Sequence, residues 1–282
     1  MQLVDLKFRP GVDKQDTAYS AGDERKYIDS DFVRFHYGKP ERWGGWTNLP
    51  NPNKTIVGVV RDTHSWVGLD GLRYLALGTD RKLYIYNEGA VYDITPIRET
   101  QALTNPFTTN GSTTVSVADS THNAIKGDFV TFDSFSSIDG LDMNQEFEIT
   151  SITDANNYTV THTSTASGST SGGGGSGNAK YQINVGPATS TYGLGWGTDT
   201  WSSSTWGTAS SSSDVVLVGR NWSLDNFGED LIATALDGGT FIWDTSAGTG
   251  TRATALSNAP TASRFSIVST DTRHLLIFGT ET

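Results

Sequence analysis

One pattern recurs three times in this chain and limits its fold more than any other feature: a strand-length apolar run, a short turn, and a second apolar run. The first copy is Tyr74-Leu75-Ala76-Leu77-Gly78-Thr79, a turn at Asp80-Arg81-Lys82, and Leu83-Tyr84-Ile85-Tyr86. The second is Leu231-Ile232-Ala233-Thr234-Ala235-Leu236, a turn at Asp237-Gly238-Gly239, and Thr240-Phe241-Ile242-Trp243-Asp244. Laid on each other without gaps, the two Asp turns coincide and Phe241-Ile242-Trp243 falls on Tyr84-Ile85-Tyr86. A third, partial copy, His274-Leu275-Leu276-Ile277-Phe278-Gly279-Thr280-Glu281, parallels residues 73–80. Its step from the second copy is about 44 residues, the length of one four-stranded propeller blade. A blade cannot bury both of its faces alone. Stacking blades radially covers them and leaves short, protected edges. The competing reading is chance recurrence of such runs in an all-β chain.

Residues 55–60 and 91–96 complete the first antiparallel meander, and Val215-Val216-Leu217-Val218 leads into the second. Composition agrees. Gly, Ser, Thr, Asn and Asp abound beside β-branched and aromatic residues, and only 18% of the chain is charged. That balance favours many short strands joined by turns. Upstream, Asp31-Phe32-Val33-Arg34-Phe35-His36-Tyr37 alternates as a strand and ends at Gly38-Lys39-Pro40. Trp43 and Trp46 flank Gly44-Gly45, and the expectation for both rings is packing against a neighbouring sheet.

A different segment separates the first two copies. Its strands are expected at residues 113–117, 127–132, 146–152 and 156–161, with Asp154-Ala155-Asn156-Asn157 as a hairpin turn. It reads as a small β-barrel or β-sandwich inserted into the larger fold, which loop-closure entropy tolerates cheaply. Residues 163–179 are Ser, Thr and Gly with a run at Gly172-Gly173-Gly174-Gly175, the composition of a flexible end. The expected organisation is therefore all-β. Residues 1–99 hold an N-terminal segment and the first propeller-like strands, 100–186 the insert with its flexible end, and 187–282 the continuing propeller-like part. Trp196, Trp201 and Trp206 recur at intervals of five among small residues, which points to cover over a core or a contact with another subunit.

The chemistry is sparse. There is no Cys, so thiolate metal sites and disulfides are excluded. His36, His64, His122, His162 and His274 do not stand at metal-ligand spacing. No nucleophile elbow, P-loop or dinucleotide fingerprint is present. The carboxylate pairs Asp29/Asp31 and Glu146/Glu148 have the residue types of a glycosidase but read as polar strand faces. Asp139-Gly140-Leu141-Asp142 lacks the ligand density of a calcium loop and reads as a turn. The expectation is a non-enzyme without catalytic, cofactor-binding or metal residues and without cofactors. A net charge of −11 opposes gripping of nucleic acid. No apolar run reaches membrane-spanning length, and the start Met1-Gln2-Leu3-Val4-Asp5-Leu6-Lys7 lacks a secretory pattern.

Three stretches carry a resemblance: Phe8-Arg9-Pro10-Gly11-Val12-Asp13-Lys14-Gln15, Asp29-Ser30-Asp31-Phe32-Val33-Arg34-Phe35, and Gly38-Lys39-Pro40-Glu41-Arg42-Trp43-Gly44-Gly45-Trp46. They resemble the opening of virion structural proteins of podoviruses. Gly195-Trp196-Gly197, Trp206-Gly207-Thr208 and residues 222–231 look like the same group, and the insert resembles small β-modules of phage structural proteins. Among tail parts the chain is most similar to the tail nozzle, or tail tubular protein B, family. That resemblance implies a β-propeller with inserted β-domains and a homohexameric ring in the virion tail, assembled in the host cytoplasm. It further implies contacts with a tail adaptor protein and with tail fibres or spikes, and genomic DNA passing through the channel without sequence-specific binding. The host cell surface is a further partner it allows. An acidic ring would let the duplex slide rather than hold it. The rival is a glycan-binding tail fibre or tailspike module, since sugars stack on exposed rings. The blade count is about two and a fraction against the four to eight that closure needs. Either the chain is the N-terminal portion of a longer protein or the count is wrong.

Overall fold

The computed structural model describes residues 9–15, 17–45, 55–190 and 218–280. Two compact units emerge, Met1–Leu49 and Pro50–Thr282. The first holds a short helix α1 (Ala18–Asp23) and a hairpin of β1 (Val33–His36) and β2 (Lys39–Arg42). Gly38 turns the hairpin at φ 75°, a left-handed backbone that glycine takes without strain. Ala21 is its one fully buried apolar side chain among the described residues. Trp43 is exposed, against the expectation that it packs on a sheet: the sheet described in its own unit is the hairpin β1–β2, in which only Phe35 is even partly buried. Trp46 lies outside the described residues.

Among its described residues the second unit is all-β apart from one 3-10 turn. Its first sheet is the antiparallel meander β3 (Val60–Val67), β4 (Arg73–Thr79), β5 (Leu83–Asn87) and β6 (Ala90–Asp93), paired in that order. β4 and β5 lie where their apolar runs put them. The first strand does not: the expected run at 55–60 is mostly a strap, and the strand is the more polar Val60–Val67. The strap is tied down instead. Val57 N–H donates to the Tyr84 hydroxyl, Thr79 Oγ1 donates to the Val57 carbonyl, and Ile56 packs over Leu77, Tyr84 and Val91.

The inserted module follows as β7 (Ile97–Thr104), β8 (Phe107–Thr108), β9 (Thr114–Ala118), β10 (Phe129–Asp133), β11 (Glu146–Asp154), β12 (Asn157–Thr161) and β13 (Ser176–Gln182). These make one sheet in the order β7-β13-β10-β11-β12-β9-β8. It is neither a two-sheet sandwich nor a closed barrel. A Phe107↔Gly173 bridge draws β8 toward the lead-in of β13, so the sheet curls around its own core. In that core the ring of Phe107 meets Phe132 and Phe135 edge-on at 5.0 and 4.9 Å.

The Gly/Ser-rich end expected to be flexible is built into this module. Thr109 N–H donates to the Thr170 carbonyl, Ser136 N–H donates to the Gly174 carbonyl, and residues 176–182 are β13, paired on both edges. Glycine serves close approach here. A Cβ on Gly174 would lie 2.5 Å from a Phe107 ring carbon, and its φ of 101° disfavours any side chain.

The second meander is β14 (Trp222–Phe227), β15 (Asp230–Ala235), β16 (Thr240–Trp243) and β17 (Thr254–Ala255), with the 3-10 turn Thr245–Ala247 between the last two. Its first strand among the described residues is Trp222–Phe227; of the expected run at 215–218, residues 215–217 lie outside the described part, as do Trp196, Trp201 and Trp206. A third, two-stranded sheet pairs β18 (Phe265–Val268) with β19 (Leu275–Phe278). The three sheets form a propeller-like row. Strand β14 lies along β3, with His64 Nε2 donating to Asn226 Oδ1 (2.9 Å) and Trp66 Nε1 to the Glu229 carbonyl (2.8 Å). Strand β18 lies along β14 in the same sense, with Ser223 Oγ donating to the Ser266 carbonyl and Val268 N–H to Asp225 Oδ2, both at 2.7 Å. Between the first two sheets sit Trp66, Tyr74, Trp222, Phe241 and Trp243. Trp222 seats over Gly78, where a Cβ would come within 2.5 Å of its ring, and its Nε1 donates to the Thr79 carbonyl at 2.7 Å.

Candidate functional site

The most developed cluster of charged side chains lies where the insert meets both large sheets. The turn before β5 supplies Lys82, the end of β6 supplies Asp93, the start of β11 supplies Glu146, and the segment before β17 supplies Arg252. Lys82 and Asp93 have side chains only 1% and 2% exposed. Lys82 Nζ donates to Asp93 Oδ2 at 2.9 Å and to Glu146 Oε1 at 2.5 Å, and stands 4.2 Å from the centre of the Phe129 ring. Arg252 reaches Asp93 at 3.2 Å, Glu146 at 3.6 Å, and the Thr95 carbonyl. Gln182 Nε2 donates to Glu146 Oε2, and Thr95 gives Asp93 both its N–H and its hydroxyl. One carboxylate of the insert is thus gripped by a cation from each large sheet. Burial pushes the Asp93 carboxyl up, but the charges of Lys82 and Arg252 outweigh it and bring it down to about 2. A carboxylate held ionised this way serves as an anchor, not as a proton donor near neutral pH.

The pair Glu146/Glu148 sits on one face of β11, as its alternation requires, with Phe147 and Ile149 turned into the core. Glu148 pairs with Arg81 at 2.6 Å. Both carboxylates are therefore matched to cations. Asp29 and Asp31 are exposed in the first unit, and Asp29 lies 3.4 Å from Lys14. That unit also carries a shallow open basin whose walls include Arg9, Asp13, Lys14 and Lys26. Asp13 and Glu24 both pair with Lys26, so the basin's charges are paired as well.

Residues 139–142 form the expected turn, with Asp139 and Gly140 at positive φ and an Ile138↔Leu141 bridge. The Asp139 carboxylate accepts from the hydroxyls of Thr109 and Thr170, which fastens the Gly-rich segment. No group of three His, Asp or Glu side chains among the described residues could hold a metal. The buried histidines are structural. His122 Nδ1 accepts from Ala124 N–H while its Nε2 faces the Asp154 carbonyl, and His162 repeats this with Ser164 N–H and the Asp142 carbonyl. Each ring thereby takes the Nε2–H tautomer. Inside the insert the Tyr158 and Tyr181 hydroxyls bond at 2.7 Å, and Tyr181 donates on to Asp119. Burial raises the Asp119 carboxyl and both phenols above their ordinary range.

Lys82, Asp93, Gln182 and Arg252 have no signature in the sequence. Their separations along the chain are long, and only the cation pair Arg81-Lys82 in an otherwise ordinary turn hints at them.

No known protein-family model matches the chain, and no curated protein does. Among solved structures it is similar to phage phi92 endosialidase, at 12% identity over 78% of this chain and 34% of that one, with a TM-score of 0.27. The chain spans about a third of the length of that protein. A likeness at that score carries no argument for fold or activity.

Proposed function

We propose that this protein is a non-enzymatic structural subunit of a bacteriophage short tail, a ring-forming nozzle subunit in the virion that conducts DNA during ejection. The observation that carries the reading is the buried ionic junction. Charges that could serve chemistry are spent on fixing a β-module rigidly to a row of propeller-like sheets, as a load-carrying part requires. Three further features support it. The opening motifs, from Phe8-Arg9-Pro10-Gly11-Val12 to Gly44-Gly45-Trp46, resemble podovirus virion proteins. The architecture is all-β with an insert between meanders. The charge of −11 would repel a duplex from a channel wall. In this reading the partners are further copies in a homohexameric ring, a tail adaptor, and tail fibres or spikes. Antibody labelling of virions, read by electron microscopy, tests it. Label at the tail axis is expected, and label only on peripheral fibres would refute the nozzle assignment.

A second reading, a glycan-binding tail fibre or tailspike module, is favoured by the exposed rings of Tyr37 and Trp43 in the first unit. It requires binding to host polysaccharide that Trp43→Ala reduces.

A further inference from the structure

An asparagine side-chain amide is lost when the next backbone nitrogen can reach its carbonyl carbon, and glycine is the following residue that hinders this approach least. Among the asparagines of this chain, only Asn110 is followed by glycine. The pair stands between β8 and β9, with both residues exposed and outside any strand. Gly111 is at φ 73°, a left-handed backbone in which a side chain is strained, so the turn itself favours glycine there. Its N–H enters no hydrogen bond with the described residues. The space where a Cβ would sit is open, with the Gly168 carbonyl oxygen at 3.9 Å.

The Asn110 amide is held from its oxygen side. Ser112 Oγ accepts from Thr114 N–H at 3.1 Å and donates to Asn110 Oδ1 at 2.5 Å, so its proton is aimed at the amide oxygen. Hydrogen bonds in such a chain polarise one another. A donor at that oxygen draws charge from the carbonyl carbon and stabilises the oxyanion formed on attack. Comparable pairs in the chain are disarmed. Asn105 precedes Pro106, which has no N–H to give. Gly71, after Asp70, donates its N–H to the Gly68 carbonyl, and Gly238, after Asp237, donates its N–H to the Ala235 carbonyl.

We infer that Asn110-Gly111 is a self-modifying site in the folded protein. Gly111 N attacks Asn110 Cγ, the Cγ–Nδ2 bond breaks, and the nitrogen leaves as ammonia with the proton that Gly111 N gives up. Solvent water then opens the cyclic imide at either carbonyl, which leaves aspartate or isoaspartate at position 110. The change is irreversible and adds a negative charge. It falls beside a seam of the module. Thr109 N–H donates to the Thr170 carbonyl, Thr170 N–H donates to Thr109 Oγ1, and both hydroxyls donate to the Asp139 carboxylate. These bonds close the Gly-rich end onto the segment that follows β8. The extra backbone carbon of isoaspartate, or a new carboxylate next to Thr109, works against them, so the seam loosens as the protein ages.

Incubation of the purified full chain in mildly alkaline buffer, with mass spectrometry of the tryptic peptide 99–126, tests this. Asn110 should convert, with isoaspartate in excess, while Asn123 in the same peptide stays unchanged. The folded chain should convert at least as fast as the chain in denaturant. Ser112→Ala should slow the folded chain several-fold and leave the rate in denaturant unchanged, and circular dichroism checks that it keeps its strands. Should it lose them, the comparison of folded and denatured wild type decides alone. Amides of Thr109 and Thr170 should exchange faster in the converted protein and in Asn110→Asp. A folded chain that converts more slowly than the denatured one overturns the inference, as does a folded Ser112→Ala variant that converts at the wild-type rate. Conversion spread evenly over the other asparagines overturns it too, and unchanged exchange at Thr109 and Thr170 overturns the loosening.

Discussion

The row of sheets and the inserted module bury their apolar surface in opposite ways. The module curls one sheet around a core of its own, from Phe107 through Phe132 and Phe147 to Tyr181, and exposes few large apolar groups. The row is covered from without. Each of its sheets is finished by a neighbour, and the outer face of the first is closed over Leu77, Tyr84 and Val91 by the strap that carries Ile56. Similar strands thus enclose a core within one sheet in one place and between sheets in the other. Glycine serves close packing in both: a Cβ on Gly174 would meet the Phe107 ring in the module, and one on Gly78 the Trp222 ring in the row.

The junction between them is where this comparison breaks most easily. Asp93→Ala should leave Lys82 and Arg252 short of their shared buried anion and cost about 3–5 kcal/mol. Chemical unfolding followed by tryptophan fluorescence reports it, since Trp66, Trp222 and Trp243 all lie in the row. A loss under about 1 kcal/mol would mean the junction does not couple the regions.

Titration of the same carboxylate probes the junction without mutation. Its pKa is depressed in the folded state, to about 2 from an ordinary 3.8. Its stabilisation is therefore complete above the ordinary value and is lost as pH falls through about 2. The amount is on the order of 2 kcal/mol. Asp93→Asn should flatten the acid limb of the stability curve in that window.

Within the module, Tyr181→Phe removes the hydroxyl that bonds both Asp119 and Tyr158 and should cost roughly 1–2 kcal/mol. Amide exchange should rise in the module and stay unchanged in β14–β16. The smallest effect belongs to Glu148→Gln. That side chain is about half exposed, so losing its pair with Arg81 should change stability by less than about 1 kcal/mol.

These effects divide along the line between what local sequence reveals and what it hides. The hairpins around Asp80 and Asp237 were legible because apolar runs flank a turn. Strand β3 was not, since five of the eight residues of Val60–Val67 are polar and its burial comes from one residue, Trp66, reaching a sheet over 150 positions later in the chain. β13 was hidden for a different reason. Ser176-Gly177-Asn178 has no strand propensity, and the segment extends because β7 and β10 pair with it on both edges. The junction residues come from four separated segments, so their meeting is a property of the fold alone. Open apolar faces are likewise invisible before register is known: Phe265 and Phe278 look like core residues in the sequence, and the ladder puts both on the outside.

The module has a core of its own and is fixed to the row by the buried charges of Lys82, Asp93, Glu146 and Arg252, and amide hydrogen exchange on the intact chain and on Asp93→Ala tests this most directly. The expected result is faster exchange in β5, β6 and the start of β11 in the variant, with β9 and β12 in the module unchanged. Unchanged exchange around the junction, or an equal rise throughout the module, would contradict it.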